Sequence, residues 1–600
     1  MRYLSFIFLL VFCAFSNPES TYLSPGSIAV NNKQDLAYTA LTTAKAVAVT
    51  DLKTGQISGR IGLKQDPNRL LLSPDGSTLF VSTGSVQGTV DIVSLPEGKV
   101  KSSIKVGHTP QEMALSQDGK VLYVTNRFSN SFSTIDLSKK KVIKTIPVVR
   151  EPRSIVISPN GKTLAVGNFL PVQAGTDTVV ASQITLIDVA SGTTTNVTLE
   201  NGSQSLLGLT YSPDGKYLYA VHILSRFGVP ITQLDRGWVN TNALSIIDAE
   251  NKSLYAVVLM DDVDHGAANP TQTGVGENGK LYVTLSGTHE LLTLDLKPMH
   301  EELEALFSGK IKDAYIKNKE DLSASLSFAS PFKKRISLKG QLPQYLAFSK
   351  DAILVSSRFS TFLEQIPLSG DKPATTISLG AEPQPDAVRR GELAFNDASI
   401  CYQQWQSCAS CHPDGRADGL NWDQQNDGLG NPKNTKSLLY SHVTPPCMIT
   451  GVRENAEKAV RNGILHTLQT VQPEEVAVSM DEYLKNLTPL ESPYLSEYKK
   501  SKQKGKKLFD QTGCAQCHAG KYSTNQQKYN VGTGDGDDKN RPFDTPSLHE
   551  IWRTAPYLYD GRAATLQEVF TKFNVDDKHG ATKSLSKEDL ESLVLYINTL

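Results

Sequence analysis

Residues 116–125 read SQDGKVLYVT, a turn built from Ser, Asp and Gly followed by a short strand of alternating side chains. The same cue recurs six more times, at 31–40 (NNKQDLAYTA), 73–82 (SPDGSTLFVS), 158–167 (SPNGKTLAVG), 212–221 (SPDGKYLYAV), 276–285 (GENGKLYVTL) and 349–358 (SKDAILVSSR). Early copies are about 42 residues apart, the length of one propeller blade. Between the turns lie second strand cues such as 133–137 (STIDL), 185–189 (TLIDV), 244–248 (LSIID) and 291–296 (LLTLDL), each ending near an Asp where the chain can turn. Four short strands per repeat and seven repeats predict a seven-bladed β-propeller over residues 25–380, a ring that buries the faces between its blades.

The later repeats lengthen to 54, 64 and 73 residues, and the added length falls at 226–241, 261–272 and 298–319. Loops of this length often carry function. Arg226, Trp238, His265 and Asn269 are therefore candidates for a face that docks a protein or ligand. The plainer expectation is that these insertions pack against whatever follows the propeller.

Composition narrows the partners. The chain has 600 residues, 39% hydrophobic and 20% charged, with a formal charge of −1, which excludes a disordered or collagen-like chain. It lacks the broad positive field of a nucleic-acid-binding protein, so no nucleic acid is expected. Met1 and Arg2 precede an apolar run from Leu4 to Phe15, read as a signal peptide over residues 1–16 with cleavage after Ser16. No later stretch approaches the roughly 20 apolar residues of a membrane span. A soluble, exported, periplasmic protein is expected. Bulky Phe12 argues against a lipid anchor at Cys13.

Seven cysteines decide the chemistry. None lies between residues 14 and 400, and four form Cys408-Ala-Ser-Cys411-His412 and Cys514-Ala-Gln-Cys517-His518. Each is a c-type haem attachment signature, in which the cysteines bond the haem and the histidine ligates iron. Each follows a helix-like Gly-x-x-x-Phe segment, at Gly391–Phe395 and Gly505–Phe509. A zinc site would need Cys and His clustered at finger spacing, whereas these motifs lie 106 residues apart. Two haem c groups are expected. Cys401 and Cys447 remain, either as a disulfide, which an oxidising compartment permits, or as separate buried thiols.

The stretch 122–126 (LYVTN) with 107–110 (GHTP) resembles the YVTN family of propeller repeats, which implies fold and not activity. Residues 543–570 (FDTPSLHEIWRTAPYLYDGRAATLQEVF), taken with both haem motifs, resemble the di-haem cytochrome c peroxidase and MauG family over 382–600. That resemblance implies two mainly α cytochrome c-like domains, 382–495 and 496–600. It also implies peroxide chemistry at the N-terminal haem and electron relay through the C-terminal one. A one-electron donor such as a small cytochrome or copper protein and a calcium ion follow from it as well.

Carried over residue by residue, His412 and His518 are the proximal ligands. His579 stands where the family places the sixth ligand of the second haem, with Tyr557, Tyr559 and His549 as rivals; Tyr559 replaces a family His. His442, Met448 and His466 are candidates to close the first haem. Gln469, Glu474 and Glu475 lie where the family has its distal acid/base, and two helix-start carboxylates are the plainer reading of the last two. The family's Trp between the haems is missing from Met448–Arg453 (MITGVR), leaving Trp405, Trp422 and Trp552. Residues 532–539 (GTGDGDDK) with backbone carbonyls of Asp544–Pro546 would supply oxygen ligands for calcium. The functional expectation is peroxide reduction. The alternatives are MauG-like oxidation of a partner protein and a non-catalytic electron-transfer or binding role.

Overall fold

A computed structural model describes residues 21–600, apart from 96, 237–238, 371, 427–429 and 502–503. The signal peptide and Cys13, like Trp238, lie outside the described residues.

Seven four-stranded antiparallel sheets follow one another from Pro25 to Ser378, each with its strands in sequence order. The chain carries a seven-bladed propeller. The turn cue joins the first and second strands of each blade. In the third blade Ser116 and the backbone N–H of Lys120 both donate to Asp118, at 2.7 and 3.1 Å, and Gly119 takes φ +69°, which a side chain would strain. Strand Val121–Asn126 explains why the motif has no polar face. Leu122 and Val124 pack with Phe80 and Ile104 of the preceding blade, and Tyr123 packs with Ile155 and Leu164 of the following one. A strand buried on both faces reads as a continuous apolar run. Each such side chain contributes roughly 1.5–3 kcal/mol by burial.

The ring closes by packing. Leu23, Ile28 and Leu41 of the first blade share a core with Leu354, Leu363 and Ile377 of the last. Arg60 donates to the Leu379 carbonyl at 2.6 Å across the same seam. The long insertions hold a 3₁₀ turn at Ile231–Arg236 and a helix at Leu296–Phe307.

Past the propeller the chain is helical, and its architecture is duplicated. Helix Ala387–Asn396 crosses helix Glu474–Lys485, and helix Lys504–Gln511 crosses helix Lys587–Ile597. The crossings are set by the glycines of the Gly-x-x-x-Phe segments. A Cβ on Gly391 would lie 1.8 Å from the Ser479 carbonyl oxygen, and one on Gly505 would lie 2.0 Å from that of Ser592. Four residues on, Phe395 packs on Tyr483 and Phe509 on Tyr596, both with ring centres 5.3 Å apart. The match continues at Pro446–Arg453 and Pro556–Ala563. Both follow a cis peptide bond, place Met448 and Leu558 at φ 73° and 75°, and close on the bridges Cys447–Arg453 and Tyr557–Ala563. No helix among the described residues is long and apolar enough to cross a membrane.

The helical region docks onto the propeller through clustered charge, with the Asp414 side chain 37% exposed and the arginines around it largely buried. Asp414, two residues past His412, receives Arg127, Arg153 and Arg553. Arg127 also pairs with Glu151 at 2.6 Å. Glu550, fully buried, receives Arg416 at 2.6 Å and Arg553 at 3.5 Å. The arginines hold the Asp414 carboxyl well below the usual carboxylate range.

Candidate haem-binding cavity

One cavity of about 860 Å³ lies between the two helical units, and both attachment motifs open into it. Cys408, Cys411 and His412 line one part, and Cys514, Cys517, His518 and His579 line another. Local hydrogen bonding prepares the proximal histidines. His412 Nδ1 is 2.9 Å from the Arg416 carbonyl and His518 Nδ1 is 3.3 Å from that of Ser523. A carbonyl only accepts, so each Nδ1 carries the proton and each Nε2 keeps a lone pair for a metal. Burial lowers the pKa of both rings, favouring the neutral form that ligates. Burial also pushes the Cys408 thiol up to about 12 and that of Cys411 well above its usual value.

His579 meets the same test. Its ring centre is 6.4 Å from that of His518, with planes at 42°. Two rings at this distance would leave room for one metal ion between their nitrogens. The His579 Nδ1 is buried without a partner, and desolvation lowers its pKa to about 4. Its rivals are engaged elsewhere. Tyr557 donates to the Ile551 carbonyl at 3.0 Å, His549 to that of Lys521 at 3.0 Å, and Tyr559 accepts from Arg562 at 2.7 Å. The residues fit a haem c at each motif, the second with histidine on both sides.

At the first motif the candidates separate. His442 does not line the cavity: its Nε2 lies 2.9 Å from Asp481, which also pairs with Arg461. Met448 and His466 do line it. His466 sits in a π-helical turn, Gly463–Thr467, directly after helix Ala456–Asn462. His579 also follows a helix, Leu566–Thr571, in the other unit, but its Nδ1 is buried, whereas His466 is exposed at the cavity's edge. π-Turns of this kind recur at functional sites.

The distal acid/base expectation requires correction. Glu474 and Glu475 are exposed in the first turn of their helix, Glu474 paired with Arg461 at 2.5 Å, and neither they nor Gln469 line the cavity. The helix N-terminus, not the haem site, accounts for the carboxylates. Cys401 and Cys447 are both free and buried, Cys401 beside Trp405 and Trp422, Cys447 in the cavity wall. The disulfide alternative is thus absent, and two separate thiols remain. The calcium expectation also fails on its donors. Asp538 pairs with Lys433 at 2.8 Å and Arg541 at 3.2 Å, Asp544 pairs with Lys436, and no three acidic, His or Cys side chains converge among the described residues. Ammonium and guanidinium groups take these carboxylates, and the set does not fit calcium.

Two of the three propeller insertions reach the helical region, the Gly266 N–H donating to the Gln403 carbonyl at 2.9 Å and that of Ile231 to the Asp423 carbonyl at 3.5 Å, while helix Leu296–Phe307 packs into the propeller's own core. Asn269 bonds Ser407 and Ser410 beside the first motif, and Arg226 donates to the Ser323 carbonyl within the propeller's own insertion, while His265 stays partly exposed. Sequence reasoning missed a buried pair beside the first attachment motif. Asp418, fully buried, accepts from the Trp422 indole N–H at 2.8 Å, and desolvation raises its pKa to about 6. Trp552 lies farther out, its ring 5.1 Å from Phe128 of the propeller.

A model of cytochrome c-550 domains matches residues 491–599, and a model of YNCE-like β-propellers matches residues 16–206. The chain is 26% identical over 299 residues to hydrazine synthase subunit gamma of Kuenenia stuttgartiensis, covering 39% of this chain and 84% of that protein. It is 30% identical over 114 residues to subunit beta of the same organism's hydrazine synthase, covering 19% of this chain and 30% of the subunit. It is 22% identical over 288 residues to cytochrome c551 peroxidase of Nitrosomonas europaea, covering 39% of this chain and 85% of that protein. Each match covers part of the chain, and together they describe a YNCE-like propeller and a cytochrome c-like region related to haem oxidoreductases.

Proposed function

We propose that this chain is an exported, periplasmic di-haem c-type oxidoreductase that reduces peroxide at its first haem. Electrons would enter through the second haem from a small cytochrome or copper protein. The observation that carries this reading is the single cavity reached by both attachment motifs, with the second motif flanked by two histidines and the first served by Met448 and His466. Haem bound through these residues supplies one-electron exchange and an iron that accepts an oxygen ligand.

The chain's own groups divide the work. His518 and His579 would both hold the haem of the second site, which would keep substrate from it, and two histidine ligands would give it a lower potential than a His/Met pair. At the first site Arg416 fixes the His412 proton on Nδ1, leaving Nε2 for iron. His466 takes the distal role that Glu474 and Glu475 do not reach, moving a proton between the oxygens of peroxide through its imidazole. Steady-state peroxide turnover with a reduced donor tests this. His466→Ala should lower it by about 10²-fold or more while both haems are retained. Unchanged turnover in that variant removes His466 from the chemistry, and no turnover in the parent removes the peroxidase reading.

A second reading has its own support. Two subunits of a hydrazine synthase match this one chain, so it would combine in one polypeptide parts that lie on separate chains there. The activity would then concern small nitrogen compounds, and hydroxylamine or nitric oxide would perturb the first haem's spectrum where peroxide does not. MauG-like oxidation of a partner uses the same residues. A pure electron-transfer role is distinguished by two low-spin irons inert to all these ligands.

A further inference from the structure

The first motif is held by the propeller through three side-chain amides, of Gln204, Asn269 and Asn240, the first and last of them buried. Gln204 donates from Nε2 to the Ser410 carbonyl at 2.7 Å and accepts from the Ser205 hydroxyl. Asn269 donates to the Ser407 hydroxyl at 2.8 Å and accepts from that of Ser410 at 2.7 Å. These two set where the helix Cys408–Cys411 lies. The third, Asn240, reaches a reacting part of the site.

Asn240 opens the strand Asn240–Asp248 and is 1% exposed. Its orientation follows from a chain of hydrogen bonds. Gln406 Nε2 is 3.0 Å from the Thr467 carbonyl, which only accepts, so the Gln406 oxygen points the other way. That oxygen lies 2.7 Å from Asn240 Nδ2, which must therefore be the amino group. The Ser225 hydroxyl donates to the Asn240 oxygen at 2.6 Å and completes the assignment. Nδ2 then has a second hydrogen, and Cys411 Sγ lies 3.5 Å away to receive it. One chain, Ser225–Asn240–Gln406–Thr467, thus runs from the propeller past the attachment sulfur to the turn that carries His466.

We propose that Asn240 is a positioning residue through which the propeller raises the reduction potential of the first haem. This rests on the reading that Cys408 and Cys411 carry haem. The Cys411 sulfur is the atom that would bond the macrocycle, and an N–H aimed at it in a buried setting draws electron density from the ring. It favours the reduced state, which is the more electron-rich one. The propeller then belongs to the protein environment of the first haem and is not a detachable docking module. The second haem has no propeller contact of this kind among the described residues, so the effect is confined to the first and widens the step between them.

The test is spectroelectrochemical titration of the full-length holoprotein and three variants, after pyridine haemochrome analysis confirms two haems per chain. Asn240→Leu removes the donor. Asn240→Asp keeps the shape and the Ser225 contact but offers no N–H. Gln204→Leu breaks an equally buried propeller bond to the same helix without touching the sulfur. Both Asn240 variants should lower the potential of the first haem and leave the second in place, while Gln204→Leu, which loosens the same helix without touching the sulfur, should move the first by clearly less. Unmoved potentials in the Asn240 variants, or an equal shift in Gln204→Leu, overturn the proposal. A parent protein with one haem or none instead refutes the di-haem reading on which it stands.

Discussion

Replacing Glu550 by Gln removes one negative charge from a place that has no solvent to replace it. Glu550 is 0% exposed at its side chain, and its carboxylate receives Arg416 Nε at 2.6 Å, Arg416 Nη2 at 3.1 Å, the Leu490 backbone N–H at 2.5 Å and Arg553 Nη1 at 3.5 Å. It joins the second helical unit to the loop after the first haem motif and to the segment between the units. Gln is nearly isosteric, so packing survives, but the buried Arg416 guanidinium loses its counter-charge, while Arg553 keeps Asp414. Breaking a buried pair by removing one partner costs about 3–5 kcal/mol. For a region of roughly 200 residues each kcal/mol moves Tm by about 2–4 °C, so the transition should fall by roughly 6–20 °C. The assay is thermal unfolding of the holoprotein followed by Soret absorbance. The change should also reach the first haem, because the Arg416 carbonyl that orients His412 rides on the same residue. Arg416→Ala should cost a similar amount, and the double variant much less than the sum. A Tm within about 2 °C of the parent, or full additivity, would refute the idea that this buried charge holds the units together.

His579→Ala should convert the second haem from low to high spin, seen by EPR, and His579→Met should keep it low-spin at a higher potential. Gly391→Ala and Gly505→Ala each drive a Cβ into a backbone oxygen, at 1.8 and 2.0 Å, and should each cost about 1–3 kcal/mol or more in urea unfolding. His222, buried in the propeller, has its pKa lowered to about 4 by desolvation. Above pH 6.5 it is neutral folded or unfolded; from pH 6.5 down to about 4 the unfolded chain alone takes the proton, so stability falls by about 3 kcal/mol across that window. Propeller unfolding measured between pH 7 and 4 should show this slope, reduced in His222→Gln. Alkylation of the native holoprotein should label neither Cys401 nor Cys447, and unfolding without reductant should expose both; a single disulfide-linked mass would contradict the free thiols.

The propeller was legible because its strands are buried on two faces and a tight polar turn rich in Asp, Asn and Gly recurs before the second strand of each blade, both local properties. The attachment motifs and their histidines were legible for the same reason, since five consecutive residues carry the chemistry. His579 stood out as a candidate by its position before the terminal helix, and the fold brings its ring centre within 6.4 Å of that of His518. What failed were long-range pairings. His442 resembles a ligand until Asp481 is brought beside it, Asp538 and Asp544 resemble calcium ligands until Lys433 and Lys436 arrive, and Glu474 is drawn outward by Arg461. Asn240 carried no signal, because an amide 171 positions from Cys411 becomes part of the haem site only when the helical region folds back over the ring.

The central claim is that two haems share one cavity, the second closed by His518 and His579 and the first open to ligand. Low-temperature EPR of the oxidised and half-reduced holoprotein, with and without peroxide, tests it most directly. The account predicts one low-spin bis-histidine signal unaffected by peroxide, and a second, high-spin signal that peroxide converts. Two low-spin signals that neither half-reduction nor peroxide alters would contradict it.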